Sequence, residues 1–335
     1  MTSASSEASA NAPQPYVNIP DTISPQAQAF LRSLPDPATK PRFPDADDLS
    51  GWERLRAAAE ADGLAKSAPL LERFPHTVES TTYGGVPALD IRPEPWRDNG
   101  KVIVYVHGGA HVMYSAASTL GRAVTAAHDT QLRVISLDYT LAPLAHYDAI
   151  TDEVARAVAA IVASGQPLAD IAIYGDSSGG GLAASSVLKM RDRGQGMPPV
   201  LALVSPWLDI TPSGDTEVTL HDADPNGLYE TQGVYAAAAY AGSADPKHPY
   251  ASPVYGDFTA GFPPTLIQGG LKETLVSGFV RMYQALDQAG QVVKLDLYEG
   301  MPHNFQDRIP DAPESQIARG KFRSWLYQHL GIAEP

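Results

Sequence analysis

Ile171-Ala172-Ile173-Tyr174-Gly175-Asp176-Ser177-Ser178-Gly179-Gly180-Gly181-Leu182 runs from four strand-forming residues through Gly-x-Ser-x-Gly into an Ala/Leu/Ser-rich stretch suited to a helix. That order predicts a strand-to-helix elbow with Ser177 at its tip. Such an elbow holds its serine in a strained backbone conformation. A side chain at 175 or 179 would collide across so tight a turn, so glycine there is a steric requirement. N–H groups left free at the helix start would point at the same spot, a place for a developing oxyanion. The bare pattern also describes a glycine-rich loop capping a helix. The flanking strand and helix favour the elbow, and the rest of the chain must supply partners for the serine.

At 335 residues and 44% hydrophobic, the chain can bury a large core, and α/β folds of this size are often one domain with an insertion. No stretch is apolar for long enough to span a bilayer. A net charge of −14 without a basic run argues against a nucleic-acid partner and against an anionic membrane surface. With no cysteine, disulfides, thiolate catalysis and cysteine–zinc sites are excluded. The first residues are small and polar, with neither a basic n-region nor an apolar h-region, so a cytoplasmic protein is expected; a mature secreted form would look the same.

Outward from the elbow, the chain alternates. Residues 1–20 form an expected flexible arm. Residues 21–75 show helical patterning in pieces, with a break at Gly63, and are expected to lie over the site as part of a cap. Val78–Ile91 is strand-like with a turn at Gly84-Gly85. Strands are then expected at 101–106, 132–137, 171–174, 200–204, 265–268 and 292–298. Between and after them come helices near 119–128, 149–164, 180–193, 275–289 and 317–330. Uninterrupted apolar strands separated by helices predict an α/β fold with a mainly parallel central sheet covered on both faces. The core is therefore expected in 76–208 and 265–335. Residues 209–264 interrupt the rhythm with one helical stretch, Thr231–Gly242, among Pro-, Gly- and Asp-rich turns. So long an interruption predicts a cap insertion.

Ser177 needs a base, and the base needs an acid to hold its tautomer; in this architecture they follow in the order serine, acid, histidine. Among His248, His303 and His329, His303 stands in the loop after the last predicted strand, where a strand end would deliver an imidazole to the sheet edge. Glu273, in Gly269-Gly270-Leu271-Lys272-Glu273, is the carboxylate after the preceding strand, although a carboxylate at a helix start is also favoured by the dipole alone. Asp287, Asp296 and Glu299 are less suitably placed. His107-Gly108-Gly109-Ala110 follows the strand at 101–106, a glycine-rich turn of the kind that supplies oxyanion amides, which are assigned to Gly108, Gly109 and Ser178. His107 and His111 have the spacing of a metal pair on a helix but stand in a loop, and no third ligand accompanies them, so no metal site is expected. Trp207, just past a strand end, is a candidate wall of an acyl pocket or a plain core residue, with His107 and Ala110 further pocket candidates. Tyr229, Tyr235 and Tyr240 either shape the pocket from the cap or form a packing stripe.

Taken in order, the motifs resemble the hormone-sensitive-lipase family of α/β-hydrolases over about 78–305. His107-Gly108-Gly109-Ala110 is similar to its His-Gly-Gly-Gly turn, Asp138-Tyr139-Thr140-Leu141-Ala142-Pro143 to its Asp-Tyr-Arg-Leu-Ala-Pro segment, and Gly175-Asp176-Ser177-Ser178-Gly179 to its elbow. Ser205-Pro206-Trp207-Leu208-Asp209 also fits. Ala110 departs from the third glycine, Ser178 from alanine, and Glu273 from the more usual aspartate. The resemblance implies a carboxylesterase for short acyl esters working through Ser177, Glu273 and His303, with a small-molecule ester as partner. It further implies no metal or organic cofactor and a monomer or homodimer. A lactonase, amidase or deacetylase would share the machinery, and a ligand-binding member without catalysis is the remaining alternative.

Overall fold

The computed structural model describes residues 18–227 and 229–333. After helices α1 (Pro25–Ser33) and α2 (Leu49–Arg73) come β1 (His76–Tyr83), β2 (Val86–Pro93), β3 (Val102–Val106), α3 (Leu120–Thr130) and β4 (Arg133–Leu137). Then follow α4 (Tyr147–Ala163), β5 (Ile171–Asp176), α5 (Ser178–Asp192) and β6 (Val200–Val204). The short α6 (Thr216–Thr219) and α7 (Val234–Ala241) precede β7 (Thr265–Gly270) and α8 (Val276–Gln288). The chain ends through β8 (Val293–Tyr298), α9 (Phe305–Arg308) and α10 (Pro313–Leu330).

The strands form one eight-stranded sheet in the order β1-β2-β4-β3-β5-β6-β7-β8. β2 pairs antiparallel with both β1 and β4, and the pairs from β4 through β3 to β8 are parallel. Alternating residues of each buried strand divide between two cores. Val102, Val104, Val106, Ile171, Ile173, Leu201 and Leu203 pack with α4, α5 and α8. Ile103, Tyr105, Ala172, Tyr174, Ala202 and Val204 pack with α3 and α10. Both faces are covered, which is why these strands are apolar throughout. Strand order reverses at β3, which pairs with β4 on one side and β5 on the other. The C-terminal edge beside such a reversal is where open α/β sheets bind ligands.

The break expected at Gly63 does not occur: α2 is one helix of 25 residues. A Cβ at Gly63 would lie 2.8 Å from the Ser118 Cβ and 3.1 Å from the Tyr114 Cδ1. This glycine admits a close neighbour instead of ending the helix. The expected helix at Thr231–Gly242 is α7 preceded by one π-helical turn, Tyr229–Gly233. Residues 1–17 of the expected arm lie outside the described residues. Ile19, within that arm, packs with α1 in a third cluster where Ile23, Ala27 and Leu31 meet Met301, Phe305 and Ile309. The N-terminal helix is thereby fastened to the loop that carries His303. Among the described residues, no helix is long and apolar enough to cross a membrane.

Candidate active site

Ser177 follows the last residue of β5 and caps α5 at φ 53°, ψ −129°, outside the conformations that a non-glycine residue normally adopts. Its surroundings over-determine that geometry. The Ser177 N–H donates to the Val204 carbonyl at 2.9 Å, and its own carbonyl accepts from the Trp207 N–H at 2.8 Å. A Cβ at Gly175 would sit 2.3 Å from the Gly179 carbonyl oxygen, and one at Gly179 would sit 2.2 Å from that of Val106. Either contact is well inside van der Waals distance, so both glycines of the elbow are sterically required.

Five strand ends converge around this serine. The loop after β8 brings His303, whose Nε2 lies 3.0 Å from the Ser177 Oγ. The loop after β7 brings Glu273, whose Oε2 lies 2.7 Å from the His303 Nδ1. With Nδ1–H donating to the carboxylate, Nε2 is left as an acceptor for the serine hydroxyl, the tautomer that a base requires. Glu273 is fully buried, and its Oε1 accepts from the Gly270 N–H at 2.6 Å and the Ser205 hydroxyl at 2.8 Å. Ser205, at the end of β6, also accepts the Asn304 N–H at 3.0 Å. One hydroxyl thus joins the loop of the carboxylate to the loop of the imidazole.

The end of β3 supplies the glycine-rich turn, held by Asp176. This fully buried carboxylate accepts from the Tyr105 hydroxyl (2.6 Å), the Gly108 N–H (2.9 Å) and the Asn304 side-chain amide (2.8 Å), and it pairs with Arg122. That contact corrects one expectation from the sequence. The Gly108 amide is committed to Asp176 and is not available to an oxyanion. The amides of Gly109, Ala110 and Ser178 have no acceptor among the described residues. Gly109 and Ala110 line the same cavity as Ser177, at φ 130° and 53°.

The other expected residues divide. Trp207 lines the cavity and stacks on His111, which lies flat against Tyr240 at 3.6 Å between ring centroids. Burial, with a smaller push from His107, holds the His111 imidazole down at about 3, so the stack is uncharged. His107 does not reach the cavity: it is fully buried and stacks on Tyr139 at 4.4 Å. Tyr229 lines the cavity, Tyr240 is buried behind it, and Tyr235 lies under Arg42 at 4.0 Å. His248 packs at a tilt against Tyr147 and His329 meets Trp325 edge-on, and neither lines the cavity of Ser177. Asp296 is held by Gln268, Tyr298 and Lys321, and Glu299 accepts from Thr22.

Asp176, Ser205 and Asn304 were not singled out from the sequence as site residues. Each is adjacent to a recognisable motif, yet spacing does not reveal a hydrogen bond between loops more than sixty residues apart. Asp224 is a fourth such residue. It accepts the amide and hydroxyl of Thr274, next to Glu273, and the amide of Asn226. Burial raises its pKa, with Glu273 adding to the rise and those amides opposing it.

The cavity over Ser177 has a volume of about 610 Å³. Its walls come from the core, from the N-terminal region (Phe43 between α1 and α2, Gly63 and Leu70 on α2) and from the segment between β6 and β7 (Glu217, Tyr229).

An α/β-hydrolase family model matches residues 103–307, which contain the glycine-rich turn, the elbow, Glu273 and His303. An esterase from the bacterial hormone-sensitive lipase family has a crystal structure that superposes with a TM-score of 0.78 at 30% identity, covering 92% of this chain and 99% of that one. The chain belongs to the hormone-sensitive-lipase family of α/β-hydrolases. It is a carboxylic ester hydrolase, as its relatives are. Another crystallised esterase superposes with a TM-score of 0.86 at 27% identity over 97% of this chain and 99% of its own. An acetyl-hydrolase of Streptomyces hygroscopicus is 31% identical over 250 residues, 71% of this chain and 78% of the relative.

Proposed function

We propose that the protein hydrolyses short-chain acyl esters, with Ser177 as nucleophile, His303 as general base and acid, and Glu273 as the carboxylate that orients the imidazole. The hydrogen-bonded row from the Ser177 Oγ through His303 to Glu273, at 3.0 and 2.7 Å, carries this reading. Ser177 attacks the ester carbonyl as His303 Nε2 takes its proton, and the imidazolium is stabilised by buried Glu273. The amides of Gly109, Ala110 and Ser178 bind the oxyanion, a role in which removing one donor costs about 10²–10³ in kcat. His303 returns the proton to the departing alcohol, and water repeats the sequence on the acyl-enzyme.

Residues 21–75 and 209–264 act together as the cap. This is supported by the walls that both segments contribute to one cavity. Trp207 forms one wall of the acyl pocket. A short acyl preference is supported by the modest cavity and by the acetyl-hydrolase activity named for the Streptomyces relative.

The test is hydrolysis of p-nitrophenyl esters from acetate to decanoate by the wild type and Ser177→Ala. Rates that peak at the short end and fall by about 10⁶ in the variant are expected. A variant as active as the wild type would exclude Ser177, and a maximum at decanoate would exclude the short-chain preference. Lactones and amides in the same assay rank the activities that share this machinery.

A further inference from the structure

Glu217 lines the cavity over Ser177 from α6, and its partly buried carboxyl makes no hydrogen bond or salt bridge among the described residues. The helix that carries it is fastened down. The Thr216 hydroxyl donates to the Thr274 carbonyl at 2.5 Å and accepts the Ser277 N–H at 2.9 Å, which ties α6 to the residue beside Glu273 and to the first turn of α8. Just before α6, a Cβ at Gly214 would lie 2.7 Å from the Ser277 Cβ, so this turn seats directly on α8. Glu217 also shares with Trp207, Thr274 and Leu275 the border of a second recess of about 10 Å³, room for about one water-sized group.

The charged groups around Glu217 are occupied with other partners. From the segment before α6, Asp209 pairs with Arg281 of α8 at 2.6 Å and accepts the Tyr255 hydroxyl. From the segment after it, Asp224 accepts from Thr274 and Asn226, and Glu230 pairs with His221 at 3.2 Å, whose other nitrogen meets Asp222. Lys40 donates to the carbonyls of Pro225 and Asn226, beside Asp224. Elsewhere in the lining, Lys66 pairs with Asp62, and Arg122 with Asp176 and Asp307. Burial, then Asp224, Glu230 and Asp209, push the Glu217 carboxyl up to about 8, against an opposite pull from His221, so most of it is protonated at pH 7. In that form it offers one O–H donor as well as acceptor oxygens. A polar group withdrawn from water without a partner costs stability. The described residues supply no partner here, and a bound substrate can.

We propose that Glu217 selects the acyl group, by hydrogen-bonding an oxygen, hydroxyl or carbonyl, carried on the acyl chain of the ester whose own carbonyl meets Ser177. This rests on the esterase reading above, with Trp207 as the acyl wall, and narrows the acyl group to an oxygenated chain. The contact has a pH signature. Below about pH 8 the protonated carboxyl donates to a chain carbonyl and either donates to or accepts from a chain hydroxyl. Above it the carboxylate only accepts. An oxo ester therefore loses its advantage as pH rises through about 8, whereas a hydroxy ester, itself a donor, keeps it.

The experiment measures kcat/KM of the full chain in a pH-stat between about pH 7 and 9 on two sets of ethyl esters. One set is the butyrate with its 3-oxo form and both 3-hydroxy enantiomers; the other is the hexanoate with its 5-oxo and 5-hydroxy forms. Each oxygenated ester is divided by its parent, and the result by the same ratio in Glu217→Leu, which removes intrinsic reactivity and any general loss in the variant. At pH 7 this quotient is expected to reach about three- to tenfold at one chain position or the other, the worth of one uncharged hydrogen bond. By about pH 9 the oxo quotient should fall towards one while the hydroxy quotient persists. Glu217→Gln keeps a donor and an acceptor and does not titrate, so it should retain the lead and hold the oxo lead at high pH.

Quotients near one in both sets would overturn the proposal. So would an oxo lead that ignores pH in the wild type, or one that falls equally in Glu217→Gln. If Glu217→Leu does not fold, the pH profiles of the wild type and Glu217→Gln decide. Failure of the esterase reading looks different: wild type and Ser177→Ala would then be alike on ethyl butyrate.

Discussion

Asp176→Asn should be far more damaging than its size suggests. The substitution preserves shape but replaces one acceptor oxygen with a donor. In the native site, Oδ1 receives the Tyr105 hydroxyl and the Gly108 N–H, while Oδ2 receives the Asn304 amide and Arg122. Whichever way the new amide turns, its NH₂ group faces two former donors. Turned towards Gly108, it leaves that amide without an acceptor; the Tyr105 hydroxyl can rotate to accept. Turned the other way, it faces the guanidinium and Asn304. Removing one partner of a buried ion pair costs about 3–5 kcal/mol. Arg122 is 26% exposed and keeps Asp307 nearby, which favours the lower part of that range. A loss of about 3 kcal/mol is therefore expected in urea denaturation. Activity should fall as well, because Asp176 joins the glycine-rich turn to the loop of His303, and a misplacement of 1 Å at a reacting centre costs about 10²-fold. Hydrolysis of p-nitrophenyl butyrate measures this. A variant within about 1 kcal/mol of wild type, the range of ordinary surface changes, and of similar kcat/KM would refute the assignment of Asp176 as the strut of the site.

Two further substitutions probe other parts of the network. Ser205→Ala removes one of the two donors to the Glu273 Oε1 and orphans the buried Asn304 N–H. It should cost about 1–3 kcal/mol in denaturant titrations and lower kcat more than it raises KM, whereas an unchanged kcat would separate Ser205 from the positioning of Glu273 and His303. Asp307→Asn should instead stabilise. Burial is the first cause that raises the Asp307 carboxyl to about 6, with Arg122 opposing, and its Oδ2 has no hydrogen-bond partner. Because the folded value lies above the unfolded one, this group favours folding below about pH 4 relative to higher pH. The lost stability grows as pH rises through about 6, reaching on the order of 2–3 kcal/mol. The variant should gain most over wild type at pH 8 and roughly half as much at pH 5, and a gain independent of pH would exclude this origin.

The central sheet was legible in the sequence because its strands are buried on both faces and flanked by amphipathic helices, a local pattern that survives without tertiary knowledge. The elbow was legible for a similar reason: Gly175 and Gly179 answer a steric demand made within a few residues of Ser177. His303 and Glu273 could be placed because strand order dictates which loops reach the sheet edge. Gly63 misled because a glycine in a helix looks the same whether it ends the helix or admits a neighbour, and only the position of Ser118 distinguishes the two. The glycine-rich turn was misread by one residue for a related reason. Composition shows that a glycine-rich turn can donate amides, but the acceptor that claims the Gly108 N–H is a carboxylate 68 residues away.

The same division holds for the site as a whole. Local sequence determined the architecture, the elbow that carries Ser177 and the chain order of the proposed catalytic partners, because these follow from periodicity, turn sterics and chain order. Tertiary structure alone decided which polar groups are already satisfied. Asp176, Ser205 and Asp224 tie distant loops together, and Lys40, Lys66 and Arg308 reach one cavity from three separate elements. Hydrogen bonding and charge act through space, and the distances that set them do not exist until the chain has folded.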